Sequence, residues 1–172
     1  MPVRPLVQFP DPRLALPAAV VDGFGPDLAA LVEDLRETLR SVSAIGLTAP
    51  HIGVSQRVFV TRMADEASLR TYVNPVLVQT SSETATHDEG SVSMPGIRER
   101  ITRPARVRIR YSDPAGSVRE EEAEGFEAAV LQHEIDQLDG LFWIDRLSRL
   151  KRDRLLKRFE KLRPTPATSD GA

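Results

Sequence analysis

Three stretches of the chain repeat their apolar residues every three to four positions, which is the spacing of one face of a helix. The first stretch follows Pro26, the second covers residues 125–139 and ends before Gly140, and the third covers residues 147–162 among basic side chains. The apolar positions of the first are Leu28, Leu31, Leu35, Leu39 and Val42, and those of the second are Phe126, Val130, Ile135 and Leu138. The pattern predicts three helices, and the second is expected to be largely buried.

Short β-branched segments between the first two helices predict strands at 58–62 and 71–80. Residues 100–111 alternate, which places Val107, Ile109 and Tyr111 on one face and basic residues on the other. A turn at 113–116 would join this strand to a partner at 117–124, whose acidic residues would face the basic ones. Residues 81–90 are predicted to form a loop. This order predicts an α+β fold, with a mostly antiparallel sheet around the 125–139 helix and a helix towards each end of the chain.

The composition argues against several classes of partner and of chemistry. The 172 residues, 41% of them hydrophobic, are enough for one domain, which we place at 1–162, with a polar, flexible tail at 163–172. The net charge of −2 and the few aromatic residues argue against nucleic acid or an anionic membrane as a partner. No apolar run reaches the roughly 18 residues that span a bilayer, so a cytoplasmic protein is expected. The chain has no cysteine, so no thiolate can act as a nucleophile or a metal ligand.

The second predicted helix contains His133 followed by Glu134. In the zinc signature H-E-x-x-H, two histidines on one helix face bind the metal and the glutamate is a general base. Here the second histidine is replaced by Gln137. Taken alone, the pair is also typical of a buried core histidine.

Three motifs, in order, resemble those of peptide deformylases. Residues 46–51 (GLTAPH) are similar to the end of the first motif, G-x-G-L-A-A-P-Q, and residues 89–95 (EGSVSMP) to the second, E-G-C-L-S-x-P. Residues 132–140 (QHEIDQLDG) are similar to the third, Q-H-E-x-D-H-L-x-G. The segments 11–14, 74–75 and 141–147 also match, so the resemblance covers roughly residues 5–162.

The resemblance implies a hydrolase that removes the formyl group from formyl-methionine peptides with a bound divalent metal, usually iron, and family analogy also suggests proximity to the ribosome. The family's metal-ligand positions correspond to Ser91, His133 and Gln137, and its general base to Glu134. Its oxyanion donors correspond to His51 and the amide of Val92, with Gly46 beside them. The positions that would contact the substrate peptide are Ile45, Gly46, His87, Gly90, Phe126, Ala129 and Val130.

Three of these positions depart from the family pattern. A serine hydroxyl at 91 is neutral where the family has a thiolate, and Gln137 offers only an amide oxygen, which suits calcium better than iron or zinc. His51 replaces the glutamine of the first motif. We therefore expect no tightly bound cofactor, although Fe(II), Zn or Ni would be the candidates if the site is functional. His87 and Phe126 would make the methionine pocket narrower and more polar.

Three interpretations stay open on the sequence. The protein could be a metal-free relative that binds a peptide N-terminus or another small ligand, with Glu134 paired to protonated His51 or His133. It could be an active hydrolase with a rebuilt metal site, in which His51 and His133 bind the ion together with Ser91 or Gln137. It could also be a serine acyl hydrolase, in which Ser91 is the nucleophile and the Val92 amide stabilises the oxyanion.

Overall fold

The computed structural model describes residues 3–163, so all of the predicted tail beyond residue 163 lies outside the described part. The helices are α1 (Pro26–Ser41), α2 (Gly125–Leu138) and α3 (Arg149–Leu162). The strands are β1 (Gly46–Thr48), β2 (Val58–Arg62), β3 (Leu69–Thr80), β4 (Thr84–Ser91), β5 (Met94–Pro104), β6 (Arg106–Ser112) and β7 (Val118–Glu124). All three predicted helices are confirmed. None of the helices within residues 3–163 has the length and apolar character needed to cross a membrane.

The strands form two sheets. One has the order β1-β2-β3-β6-β7, the other is the hairpin β4-β5, and every pairing between these strands is antiparallel. The predicted α+β class is therefore confirmed. In the β6–β7 pair, Arg108 bonds to Glu122 and Arg110 to Glu120 on the solvent side. Val107 and Ile109 are buried on the opposite face, as the alternation predicted.

The prediction of a loop at 81–90 is wrong, because this segment contains most of β4. Its alternating residues are largely polar, so the sequence carries little apolar signal, yet Thr84 to Glu89 pair in register with Pro104 to Glu99. The single strand predicted at 100–111 is wrong as well. It is divided at Ala105 between β5 and β6, which belong to different sheets. The N–H of Ala105 bonds to Glu83 beside β4 and its carbonyl accepts from Gly125 after β7, so the chain changes partners at this residue.

Helix α2 contacts strands of both sheets and occupies the centre of the fold. Ala128, Leu131 and Ile135 pack against Phe59 and Tyr72 of the larger sheet. The expectation that Phe126 is buried is wrong, since its side chain is 42% exposed. It lies in the first turn of α2, at the edge of a cavity between the two sheets. The same helix places Ala129, Val130, His133 and Glu134 in the wall of that cavity.

Candidate functional site

A cavity of about 450 Å³ lies between strand β1, the β4–β5 hairpin and helix α2. Most of the residues singled out in the sequence line it, namely Ile45, Gly46, His51, Gly90, Ser91, Val92, Phe126, Ala129, Val130, His133 and Glu134. Two of them are not part of the lining. His87 packs its ring against Phe126 with centroids 6.0 Å apart, and Gln137 lies one turn further along α2 with only 2% of its surface exposed.

His133 is held by a buried chain of charged groups that the sequence did not reveal. Its Nδ1 lies 2.8 Å from Glu89 Oε1, and Arg103 donates to both oxygens of Glu89 at 2.6 and 2.9 Å. Arg103 also donates to Asp136 at 2.8 Å. The half-exposed Arg146 donates to the same Asp136 carboxylate. Burial raises the pKa of Glu89, but the hydrogen bonds from Arg103 and His133 outweigh this effect and lower it to about 2. Glu89 is thus a carboxylate, and Nδ1 of His133 donates to it.

Glu134 lies against the backbone of β1. A Cβ atom on Gly46 would stand 2.8 Å from Glu134 Cδ, so only glycine allows this approach. The carboxyl is 4% exposed, and its Oε2 has no hydrogen-bond partner among residues 3–163. Burial raises the pKa of Glu134 to about 7. The metal-free interpretation allowed an ion pair between Glu134 and protonated His51 or His133, and the structure does not contain it within residues 3–163: His133 bonds to Glu89, and burial keeps His51 neutral.

His51 presents a fixed hydrogen-bond donor to the cavity. Its Nδ1 accepts from the backbone N–H of Thr48 at 3.0 Å, so the neutral ring must carry its proton on Nε2. That Nε2 is buried and unpartnered within residues 3–163. Burial, followed by the nearby charge of His133, lowers the pKa of His51 to about 3. The ring is consequently a neutral donor, and its only free lone pair is already engaged by Thr48.

The donor set does not fit a catalytic transition metal. The Ser91 hydroxyl oxygen accepts from the N–H of Ser93 at 3.1 Å, and Gln137 donates its side-chain amide to the carbonyl of Leu14 at 2.7 Å. At both family ligand positions a metal would therefore find only a neutral oxygen, and the Ser91 oxygen already accepts a backbone hydrogen bond. Among the three family ligand positions, His133 alone supplies a suitable nitrogen. Within residues 3–163, no three His, Cys, Asp or Glu side chains are grouped as a metal site would need.

Other residues of the site escaped the sequence patterns. The β5 residues Gly96, Ile97 and Arg98 line the cavity, and Arg103 orients His133 from behind through Glu89. The other partner of Arg103, Asp136, belongs to the third motif. Gly96 to Arg98 directly follow the second motif, which was the available signal. Glu89 belonged to that motif, but nothing in the sequence indicated its partners.

Known proteins share both the sequence pattern and the fold of this chain. A family model described as polypeptide deformylase matches residues 3–153. A protein of Bradyrhizobium diazoefficiens named peptide deformylase-like is 53% identical over 94% of this chain and 95% of its own. A protein of Afipia carboxidovorans named peptide deformylase is 40% identical over 94% and 96%. The crystal structure of peptide deformylase from Ehrlichia chaffeensis superimposes with a TM-score of 0.87 at 32% identity, covering 94% of this chain and 97% of that one.

Proposed function

This chain belongs to the peptide deformylase family, and from that premise we propose that it binds acylated peptide N-termini in a site that has lost the family's metal-dependent hydrolysis. The observation that carries the proposal is the state of the three altered positions. The Ser91 hydroxyl is neutral and accepts from the Ser93 N–H, and Gln137 is neutral and donates its amide N–H to the Leu14 carbonyl. His51 offers a proton rather than a lone pair. The cavity itself is retained, with Glu134 and His133 in its wall.

The hydrogen bonds of His51 argue against a rebuilt metal site. A metal ligand must direct a lone pair at the ion, but the Nε2 of His51 carries the proton because Nδ1 accepts from Thr48. Binding an ion through Nε2 would place two N–H groups, from Nδ1 and from Thr48, against each other at 3.0 Å. His51 therefore does not replace the lost ligands.

The contacts of Ser91 argue against a serine hydrolase. A nucleophilic serine needs a general base within hydrogen-bonding distance and a third group that orients that base. The hydrogen-bond partner of the Ser91 hydroxyl is the backbone of Ser93, and His133 is oriented by Glu89. Neither imidazole is bonded to the hydroxyl among the described residues, so the structure supports no acyl transfer to Ser91.

The features of a peptide-binding groove remain. Strand β1 lies at the edge of the larger sheet, because it pairs with β2 on one side and with no other strand of that sheet on the other side. Ile45 and Gly46, at the start of this strand, border the cavity. A peptide can add to such an edge through backbone hydrogen bonds. At the end of the groove, His51 can donate to the carbonyl oxygen of an acyl group, and the Glu134 carboxylate can accept the N–H of the same amide.

Calorimetric titration with formyl-Met-Ala tests this proposal, with free formate measured in the same samples. We expect saturable binding without formate release, and weaker binding of Met-Ala, whose charged amine replaces the acyl amide. Glu134→Gln keeps the shape of the side chain but removes the base. We expect it to bind formyl-Met-Ala to within a few-fold of the wild type. Formate release by the wild type that is abolished in folded Glu134→Gln would show that the chain is a hydrolase and refute the proposal.

A further inference from the structure

Thr48 and His51 depart together from the first motif of the family. The motif pattern has alanine at the position of Thr48 and glutamine at the position of His51. Thr48 is fully buried and precedes the short helical turn Ala49–Ile52, which ends one residue after His51. The two altered side chains are therefore neighbours in space as well as in the motif.

The contacts between them make one unit. The backbone N–H of Thr48 donates to Nδ1 of His51 at 3.0 Å, and the hydroxyl oxygen of Thr48 lies 3.0 Å from the same nitrogen. The hydroxyl oxygen also accepts from the backbone N–H of His51 at 3.4 Å, so its own proton is free to point at Nδ1. Two donors from one residue thus converge on Nδ1, and both the rotation and the tautomer of the ring are fixed.

We propose that Thr48 is a positioning residue that makes His51 a permanent N–H donor for the carbonyl oxygen of a ligand's acyl group. An amide side chain always has a donor, whereas an imidazole presents one only when its tautomer is set by a partner. A histidine at this position consequently needs a polar neighbour that a glutamine does not. The choice of ligand group rests on the proposed function, whereas the effect of Thr48 on His51 does not.

The tautomer can be measured directly by ¹⁵N NMR of the imidazole nitrogens. The chain has three histidines, so the signals of His51 are assigned with a His51→Gln variant. We expect the Nε2–H tautomer in the wild type and in Thr48→Ser, which keeps the hydroxyl. In Thr48→Val a methyl group replaces the hydroxyl beside Nδ1, closer than carbon and nitrogen normally approach. There we expect the methyl group to push the ring away from the backbone N–H of residue 48, which gives a second tautomer or a mobile ring. If Thr48→Val unfolds, Thr48→Ala removes the hydroxyl donor alone; the backbone N–H then still favours the Nε2–H tautomer, and we expect a more mobile ring.

Binding of formyl-Met-Ala provides the second measurement, as a double-mutant cycle. Thr48→Val should weaken binding about five- to tenfold when His51 is present, which is the loss of about one hydrogen bond. It should change binding less than about twofold in the His51→Gln background, and Thr48→Ser should resemble the wild type. Equal losses in both backgrounds would mean that Thr48 is merely structural and would overturn the proposal.

The two measurements separate the proposal from the function on which it draws. If the wild type binds no formyl-Met-Ala, the proposed function fails, and the NMR comparison alone decides the role of Thr48. An Nδ1–H tautomer of His51 in the wild type, or unchanged imidazole signals in Thr48→Val, would overturn the positioning role, whether or not the protein binds formyl-Met-Ala.

Discussion

Replacement of Arg103 by methionine is expected to destabilise the fold strongly, because it removes the cation from a buried network of ion pairs. Only 5% of the Arg103 side chain is exposed, and its guanidinium bridges the carboxylates of Glu89 and Asp136, each 7% exposed. Methionine fills much of the same volume but leaves two buried carboxylates without their shared cation. Among residues 3–163, Glu89 is then left with His133 as its charged partner, and Asp136 with the half-exposed Arg146.

The magnitude follows from removing one partner of a buried ion pair, which costs about 3–5 kcal/mol. For a domain of this size, each kcal/mol lowers the melting temperature by roughly 2–4 °C, so we expect a decrease on the order of 10 °C. Arg108→Met is the matched control. Arg108 and Glu122 are 45% and 70% exposed, and an exposed pair of this kind is worth about 1 kcal/mol or less.

The assay is urea unfolding of the two variants and the wild type, monitored by circular dichroism at neutral pH. Equal slopes in urea would show that the compared folded and unfolded states are the same. A loss below about 1 kcal/mol for Arg103→Met, or a loss equal to that of Arg108→Met, would show that Arg103 does not stabilise the fold as part of a buried ion-pair network. The charged chain behind His133 would then contribute no more than a surface ion pair.

Three further changes test other contacts of the site. Gly46→Ala should lower the free energy of unfolding by about 1–3 kcal/mol and abolish binding of formyl-Met-Ala, because its Cβ collides with Glu134. Gly23→Ala is the control, since no atom lies within 4 Å of its Cβ. Its free energy of unfolding should stay within about 0.5 kcal/mol of the wild type. Unaltered binding by Gly46→Ala would contradict the close approach. The double variant Ser91→Cys with Gln137→His should retain zinc through dialysis when the wild type does not, because it restores a thiolate and an imidazole to the scaffold. Zinc retained equally by both proteins would count against this explanation. His87→Ile should raise the ratio of the affinity for formyl-Met-Ala to that for formyl-Ala-Ala by a few-fold, since His87 packs on Phe126 at the cavity edge. An unchanged ratio would show that His87 does not contact the peptide's first side chain.

Local patterns in the sequence predicted the parts of the fold that depend on local burial. Leu28, Leu35 and Leu39 repeat at helical spacing because α1 buries one face, and this signal needs no knowledge of the partner. Strand β4 was missed because its residues are mostly polar and its strand character comes from pairing with β5. Tertiary pairing of this kind overrides local propensity.

The candidate site divides in the same way. The motifs placed His51, Ser91, His133 and Glu134 around one cavity, as the structure does. The bond from Thr48 to His51 spans three residues at the start of a helical turn, so a local capping pattern could have revealed it. The link from Glu89 to Asp136 through Arg103 joins residues up to 47 positions apart. It depends on the register of β4 against β5 and on the docking of α2, which no local pattern encodes.

The most direct test of the central claim is a calorimetric titration of the wild type with formyl-Met-Ala, in excess chelator and again after addition of Fe(II), Zn or Ni. We expect the same dissociation constant in both conditions and no formate in either, because His51 and Glu134 recognise the acyl amide without an ion. Binding that disappears in chelator and returns with the metal, or formate release that depends on the metal, would contradict this claim.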